Sequence, residues 1–156
     1  MHVRKVAIAI GTVLCLTLAV SIGTGAASVG TAKSGKVRVI LSEWIANPKP
    51  KKIAAGKIKI TAKNLGAEDH EVVVVLGDDA AALPVDADGA VVEDELAEGA
   101  FVDEIEDIAA GTSKSKKFKL DPGTYVVFCN VTETDEDTGE VESHFAEGMH
   151  GILKVS

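Results

Sequence analysis

Lys116-Lys117-Phe118-Lys119-Leu120, then Asp121-Pro122-Gly123, then Thr124-Tyr125-Val126-Val127-Phe128-Cys129 is a pair of strand patterns around a turn signal. Proline stands where a β-turn favours it, and the stretch predicts a β-hairpin. Working outward, Lys36 to Leu41 and Lys57 to Ala62 alternate apolar with polar residues, the period of a half-buried strand. Between them Asn47-Pro48-Lys49-Pro50 is expected to break the ladder, because proline carries no backbone donor. Glu71 to Leu76 is a β-branched run that predicts a strand buried on both faces, and Ile152 to Val155 predicts a short last strand. Helical spacing is found only in residues 91–107, where Val91, Val92, Glu95 and Leu96 share a face; Gly89 and Gly99 limit that helix to about two turns. Short strands punctuated by Gly and Pro predict an all-β fold, an antiparallel β-sandwich or barrel.

The chain has 156 residues, 24 acidic and 16 basic, with a net charge of −8 and 46% apolar residues. One domain is the expectation, and a fully disordered chain is excluded. Residues 1–27 read as an export signal: Arg4 and Lys5 form a positive end, Val6 to Val20 is apolar or small, and Gly25-Ala26-Ala27 offers a cleavage site. Fifteen apolar residues fall short of the ~20 that cross a bilayer as a helix, which favours cleavage over an N-terminal anchor. The protein is thus expected outside the cytoplasm, periplasmic or extracellular, with an uncleaved residue 1–27 segment the one means of membrane association. Residues 28–35 read as a flexible arm and residues 36–156 as the folded domain.

Removing residues 1–27 leaves 14 basic and 24 acidic residues and one cysteine, Cys129. Such a balance argues against nucleic acid as a partner, which demands clustered Lys and Arg. Between Lys63 and Lys114 there are fifteen acids and no base, and residues 130–148 add seven more. They read as a solvated acidic surface or as a face that docks a basic partner. Residues 84–95 place Asp86, Asp88, Gly89 and Glu95 at calcium-loop positions, but Pro84 stands where the first ligand belongs, so an ordinary acidic loop is the better account. No nucleophile elbow, phosphate loop or H-E-x-x-H motif is present, which points away from an enzyme.

An unpaired thiol in an oxidising compartment calls for an explanation. After residue 27 the chain holds His70, His144, His150, Cys129 and Met149, and four of these fall at strand ends: His70 opens the buried run, Cys129 closes another, and His144 and Met149 precede the last strand. Strand ends at one pole of a sandwich come together. Two imidazoles, a thiolate and a thioether are the ligand set of one type 1 copper ion, in which thiolate and thioether favour Cu(I) and imidazole accepts either state. Zinc is a weaker fit, since its structural sites are built without methionine. His150 points away from Met149 in an extended chain and reads as a non-ligand, and Trp44 and Tyr125 read as core residues.

Residues 64–72, 121–131 and 144–155 resemble the cupredoxins, the blue copper proteins that include plastocyanin, azurin and sulfocyanin; Cys, His and Met stand in that family's order, with Gly148-Met149 before the final strand. The resemblance covers most of residues 36–156. It implies a Greek-key β-sandwich and one-electron transfer with redox partner proteins, as a monomer, with His70, Cys129 and His144 as equatorial copper ligands and Met149 axial. It also implies electron exchange at the His144 edge, with Phe145 and Ala146 as a contact patch. A copper carrier or buffer without a redox circuit is the alternative. Two departures stand out. Fourteen residues separate Cys129 from His144, more than the family usually has, so an acidic insertion at about Thr132 to Glu142 must loop out. Glu71 stands where plastocyanin and azurin carry Asn, and an ionised carboxylate cannot donate as that amide does.

Overall fold

The alternation at Lys36–Leu41 lies within β1 (Ser34–Ser42) of a computed structural model that describes residues 34–156. The signal or anchor expected at residues 1–27 lies outside the described residues, as does most of the arm; Ser34 and Gly35 already belong to β1, which corrects the arm's end. The further strands are β2 (Ile45–Lys49), β3 (Lys52–Ile53), β4 (Gly56–Asn64), β5 (His70–Leu76), β6 (Phe101–Ile108), β7 (Ser113–Leu120), β8 (Gly123–Phe128), β9 (Thr132–Thr134), β10 (Val141–Ser143) and β11 (His150–Val155). One sheet runs β2-β1-β4-β7, a second runs β3-β11-β8-β5-β6, and β9 and β10 form a ribbon of their own. Among the described residues no helix is long and apolar enough to cross a membrane.

The sandwich is as expected, but its sheets are mixed. β1 pairs with β4 in parallel and β11 with β3 in parallel. The cause is local. From β1 the chain turns back as β2, crosses to the other sheet as β3, and returns beside β1 in the same direction. Pro48 does not break the ladder, because β2 is an edge of its sheet, where a missing N–H costs nothing on the unpaired side; Pro48 stands opposite Val39.

The stretch 116–129 gives both predicted strands but no hairpin. β7 pairs with β4 at the edge of one sheet, while β8 sits between β11 and β5 in the other. The lysine-rich strand can stand at a solvated edge, whereas the apolar run needs cover on both faces. Asp121-Pro122-Gly123 is therefore a corner between sheets, and the Tyr125 hydroxyl fixes it by donating to the Asp121 carbonyl at 2.8 Å.

Phe118 and Leu120 from one sheet meet Tyr125, Val127 and Leu153 from the other, with Val39, Ile58 and Ile60 beside them. Val72 and Val74 enter this core, and Val73 and Val75 point outward into a second cluster with Val126, Phe128 and Phe145. The β5 run is thus buried on both faces, as predicted, because the chain from Asp79 to Leu96 lies over the outer one. That cover replaces the expected helix in residues 91–107. Only Glu93–Glu95 makes a single 3-10 turn, Val91 packs into the second cluster, and residues from Phe101 onward extend as β6. Three consecutive acids and the left-handed Gly89 and Gly99 (φ 84° and 75°) leave no length for an α-helix.

The two basic stretches merge on the outer face of the four-stranded sheet. Lys36 stands opposite Lys59, Lys59 opposite Lys117, and Lys57 opposite Lys119, all exposed. The acids of residues 130–148 lie instead on the β9–β10 ribbon and the loop after it.

Gly151 is where β11 passes beneath β2. A Cβ there would collide with the Ala46 carbonyl and sit 2.8 Å from Pro48 Cδ. Gly151→Ala is expected to cost ~1–3 kcal/mol of stability in urea unfolding, the usual penalty of overpacking. A loss below ~0.5 kcal/mol would contradict so close an approach.

Candidate metal centre

His70 is aimed by the loop before it. Ile58, Ile60, Ala62 and Asn64 are the inward positions of β4, and at the last of these an amide replaces an aliphatic side chain. Asn64 is wholly buried and fully used: Nδ2 donates to the carbonyls of Glu68 (2.6 Å) and Ile108 (2.9 Å), and Oδ1 accepts from the Gly66 N–H (2.8 Å). Glu43, in the β1–β2 turn, steadies the same loop by accepting from the N–H groups of Ala67 (2.6 Å) and Glu68 (3.3 Å). Across the pair, the register shifts between His70 and Val72, with Asp107 left-handed at φ 49°; bulges of this kind re-aim a side chain beside a site.

Cys129 follows β8 directly, in step with the inward Tyr125 and Val127. Its N–H donates to the Met149 carbonyl at 3.1 Å, and the Met149 N–H donates to the His144 carbonyl at 2.9 Å, so the last loop is laced to the end of β8. Met149 is wholly buried. The fourteen residues between Cys129 and His144 do not separate them, because β9 and β10 fold back as a hairpin whose base closes with His144 N–H donating to the Val131 carbonyl at 3.0 Å. The acidic insertion projects outward with every residue from Thr132 to Glu142 exposed.

Three donor atoms meet as a result. Cys129 Sγ lies 3.4 Å from His144 Nδ1 and 3.9 Å from His70 Nδ1, and the two Nδ1 atoms lie 3.2 Å apart. All three side chains are wholly buried. Donors bound in a plane to one ion at ~2.0–2.3 Å stand ~3.5–3.8 Å apart, so the triangle has the size a first-row metal requires. Two imidazoles with one thiolate is the equatorial set of a type 1 copper centre.

Two opposing influences act on the Cys129 sulfur. Burial pushes the Cys129 thiol up to about 11, while the Glu71 N–H, donating to Sγ at 3.4 Å, favours the thiolate. Burial, with His144 adding to it, lowers His70 and so keeps its ring in the neutral form that coordinates. Glu71 ties the segments that carry His70 and Cys129 as an acceptor rather than a donor: its carboxylate receives the Asn130 N–H at 3.1 Å, and burial pushes it up to about 7. Asn130 in turn holds the loop over the second cluster, Nδ2 donating to the Val91 carbonyl (3.0 Å) and Oδ1 accepting from the Val91 N–H (2.7 Å).

No protein-family model matches the sequence, and no curated protein matches it. Solved structures do. The chain is similar to a reduced auracyanin from Roseiflexus castenholzii, at 21% identity and a TM-score of 0.52, covering 81% of this chain and 99% of that one. Auracyanin B matches at 22% identity and a TM-score of 0.50 over 81% and 91% of the two chains. Rusticyanin from Thiobacillus ferrooxidans matches at 14% identity and a TM-score of 0.50 over 78% and 77%. The chain folds as a cupredoxin.

Within that cupredoxin fold three expectations need correction. Trp44 is not in the core: it occupies the turn after β1 with φ 63°, is partly exposed, and sets its ring edge-on to His144 with centroids 5.5 Å apart. The His144 edge is not open, since the residue is wholly buried between Trp44 and Glu68. Phe145 is buried against Phe128, at 5.2 Å between centroids, which leaves Ala146 as the exposed member of the expected patch. His150 is exposed against Phe145 and stands outside the donor triangle. Asn64 and Glu43 escaped the sequence reading, and Trp44 was read for the core rather than for His144; Asn64 alone left a signal, a polar residue at an inward position of an alternating strand.

Proposed function

We propose that the protein is a blue copper protein carrying one electron at a time between redox partner proteins, exported to the periplasm or beyond and acting as a monomer. His70 Nδ1, Cys129 Sγ and His144 Nδ1 would hold the ion, with the Met149 thioether as a fourth donor. The observation that carries this reading is the convergence of those three buried atoms within 3.2–3.9 Å of one another, from three separate segments. Copper, when bound, supplies one-electron exchange between Cu(II) and Cu(I).

The chain's own residues supply the rest. Asn64 and the lacing between Cys129, His144 and Met149 restrain the donors against rearrangement when the charge of the site changes. The Glu71 N–H stabilises the thiolate, and burial keeps water from the sulfur. Trp44 touches the His144 ring and is itself partly exposed, whereas Phe145 is buried, which supports electron exchange on the Trp44 side.

Voltammetry of the copper-loaded protein tests the carrier role. A reversible one-electron wave, with one copper per chain retained through repeated cycles, is expected. Release of copper on reduction would instead mark a copper carrier or buffer.

A further inference from the structure

With both Nδ1 atoms turned into the donor triangle, Nε2 of His144 is a buried ring nitrogen with no hydrogen-bond partner. It faces Glu68 Oε2 at 3.5 Å, and that oxygen is also buried and unpartnered. The gap is too long for a charge-assisted hydrogen bond, which closes to ~2.7–2.9 Å. It is the right size for something else: two donors on one tetrahedral ion at ~2.0–2.2 Å stand ~3.3–3.6 Å apart. Glu133 on β9 brings a third donor, so that one atom each from Glu68, Glu133 and His144 lies within 4.8 Å of the others. Glu142 stands opposite Glu133 in the ribbon, and among the described residues no lysine or arginine pairs with any of these carboxylates.

We infer that Glu68, Glu133 and His144 Nε2 form a second divalent-cation site on the outer side of the donor triangle, taking a first-row ion that accepts carboxylate and imidazole. A neutral imidazole has one lone pair, so an ion on Nε2 leaves the proton on Nδ1. His144 therefore serves one metal at a time. The outer site fills in the copper-free chain, and copper entering the inner triangle displaces its ion; this second half rests on the copper reading above. Two carboxylates and an imidazole suit manganese or zinc, and the thiolate-free outer set is the one Mn²⁺ selects over the triangle.

The test is a titration of the copper-free chain with Mn²⁺, followed by electron paramagnetic resonance. One Mn²⁺ per chain is expected, with nitrogen modulation from a single imidazole in spin-echo spectra, and with at least tenfold weaker binding in Glu133→Gln. One equivalent of copper is expected to release the Mn²⁺. Absence of saturable binding, unchanged affinity in Glu133→Gln, or binding without nitrogen coupling would each overturn the site, as would Mn²⁺ retained at full affinity beside bound copper. If copper does not bind at all, the electron-carrier reading falls, while the titration, nitrogen coupling and variant still decide the outer site.

Discussion

Copper-loaded Cys129→Ser protein is expected to be colourless in the region where the parent absorbs intensely, and to bind copper at least ~100-fold more weakly, a loss of ~2.7 kcal/mol or more. Thiolate is the strong donor of the set and the source of ligand-to-metal charge transfer, whereas a serine hydroxyl at neutral pH stays protonated and coordinates weakly. Burial sharpens the contrast. Cys129 already sits at about 11, so the metal must displace a proton from a thiol that resists ionisation, and a hydroxyl there resists far more. The fold should survive, because the two side chains are close in size and a buried hydroxyl costs ~1–3 kcal/mol. Absorption, copper content and circular dichroism on the same sample separate the outcomes: an intact fold with a persistent visible band would remove Cys129 from the site.

Asn64→Ala is expected to cost ~2–4 kcal/mol and to weaken copper binding as well. The substitution strands the Glu68 and Ile108 carbonyls and the Gly66 N–H, each of which bonds Asn64 within 2.9 Å. A buried group left without its partner costs ~1–3 kcal/mol, and the Gly66 N–H can recover part of its loss from water, which sets the lower end of the range. The stability effect is global, but the loop released runs straight into His70, so copper affinity should fall further than in a core variant of equal stability loss. Urea unfolding of the copper-free protein gives the first number and competition with a chelator the second. A cost below ~1 kcal/mol would contradict the bonding assigned to this amide.

The strands were legible because their patterns are unambiguous: alternation at residues 36–41 and 57–62, and a continuous β-branched run at 72–75 that only a doubly covered strand explains. What periodicity does not carry is the partner. Residues 116–120 and 124–128 read correctly as strands, yet the turn between them joins two sheets, because an amphipathic lysine-rich strand and an all-apolar one have different needs for cover. The helix expected near Val91 reflects the same limit. Val91 and Leu96 are apolar because they lid the outer face of β5 and β8, a demand set by strands far away in sequence.

The approach of His70, Cys129 and His144 was legible for a different reason. Cysteine, methionine and histidine are so scarce after residue 27 that their positions at strand ends carry information by themselves. The surroundings were less so. Trp44 and Glu68 reach His144 from separate loops, and neither local pattern nor composition places them there. Glu71 was read as unable to replace an amide donor, and the tie it makes runs in the opposite sense, with the Asn130 N–H donating to it.

One measurement bears most directly on the central claim. The copper-loaded parent protein, with one Cu(II) per chain, is examined by visible absorption and frozen-solution electron paramagnetic resonance. An intense visible thiolate band together with the narrow copper hyperfine splitting of a covalent Cu(II)–thiolate bond is predicted. A weak visible band with the wide splitting of a tetragonal nitrogen and oxygen site would contradict the account.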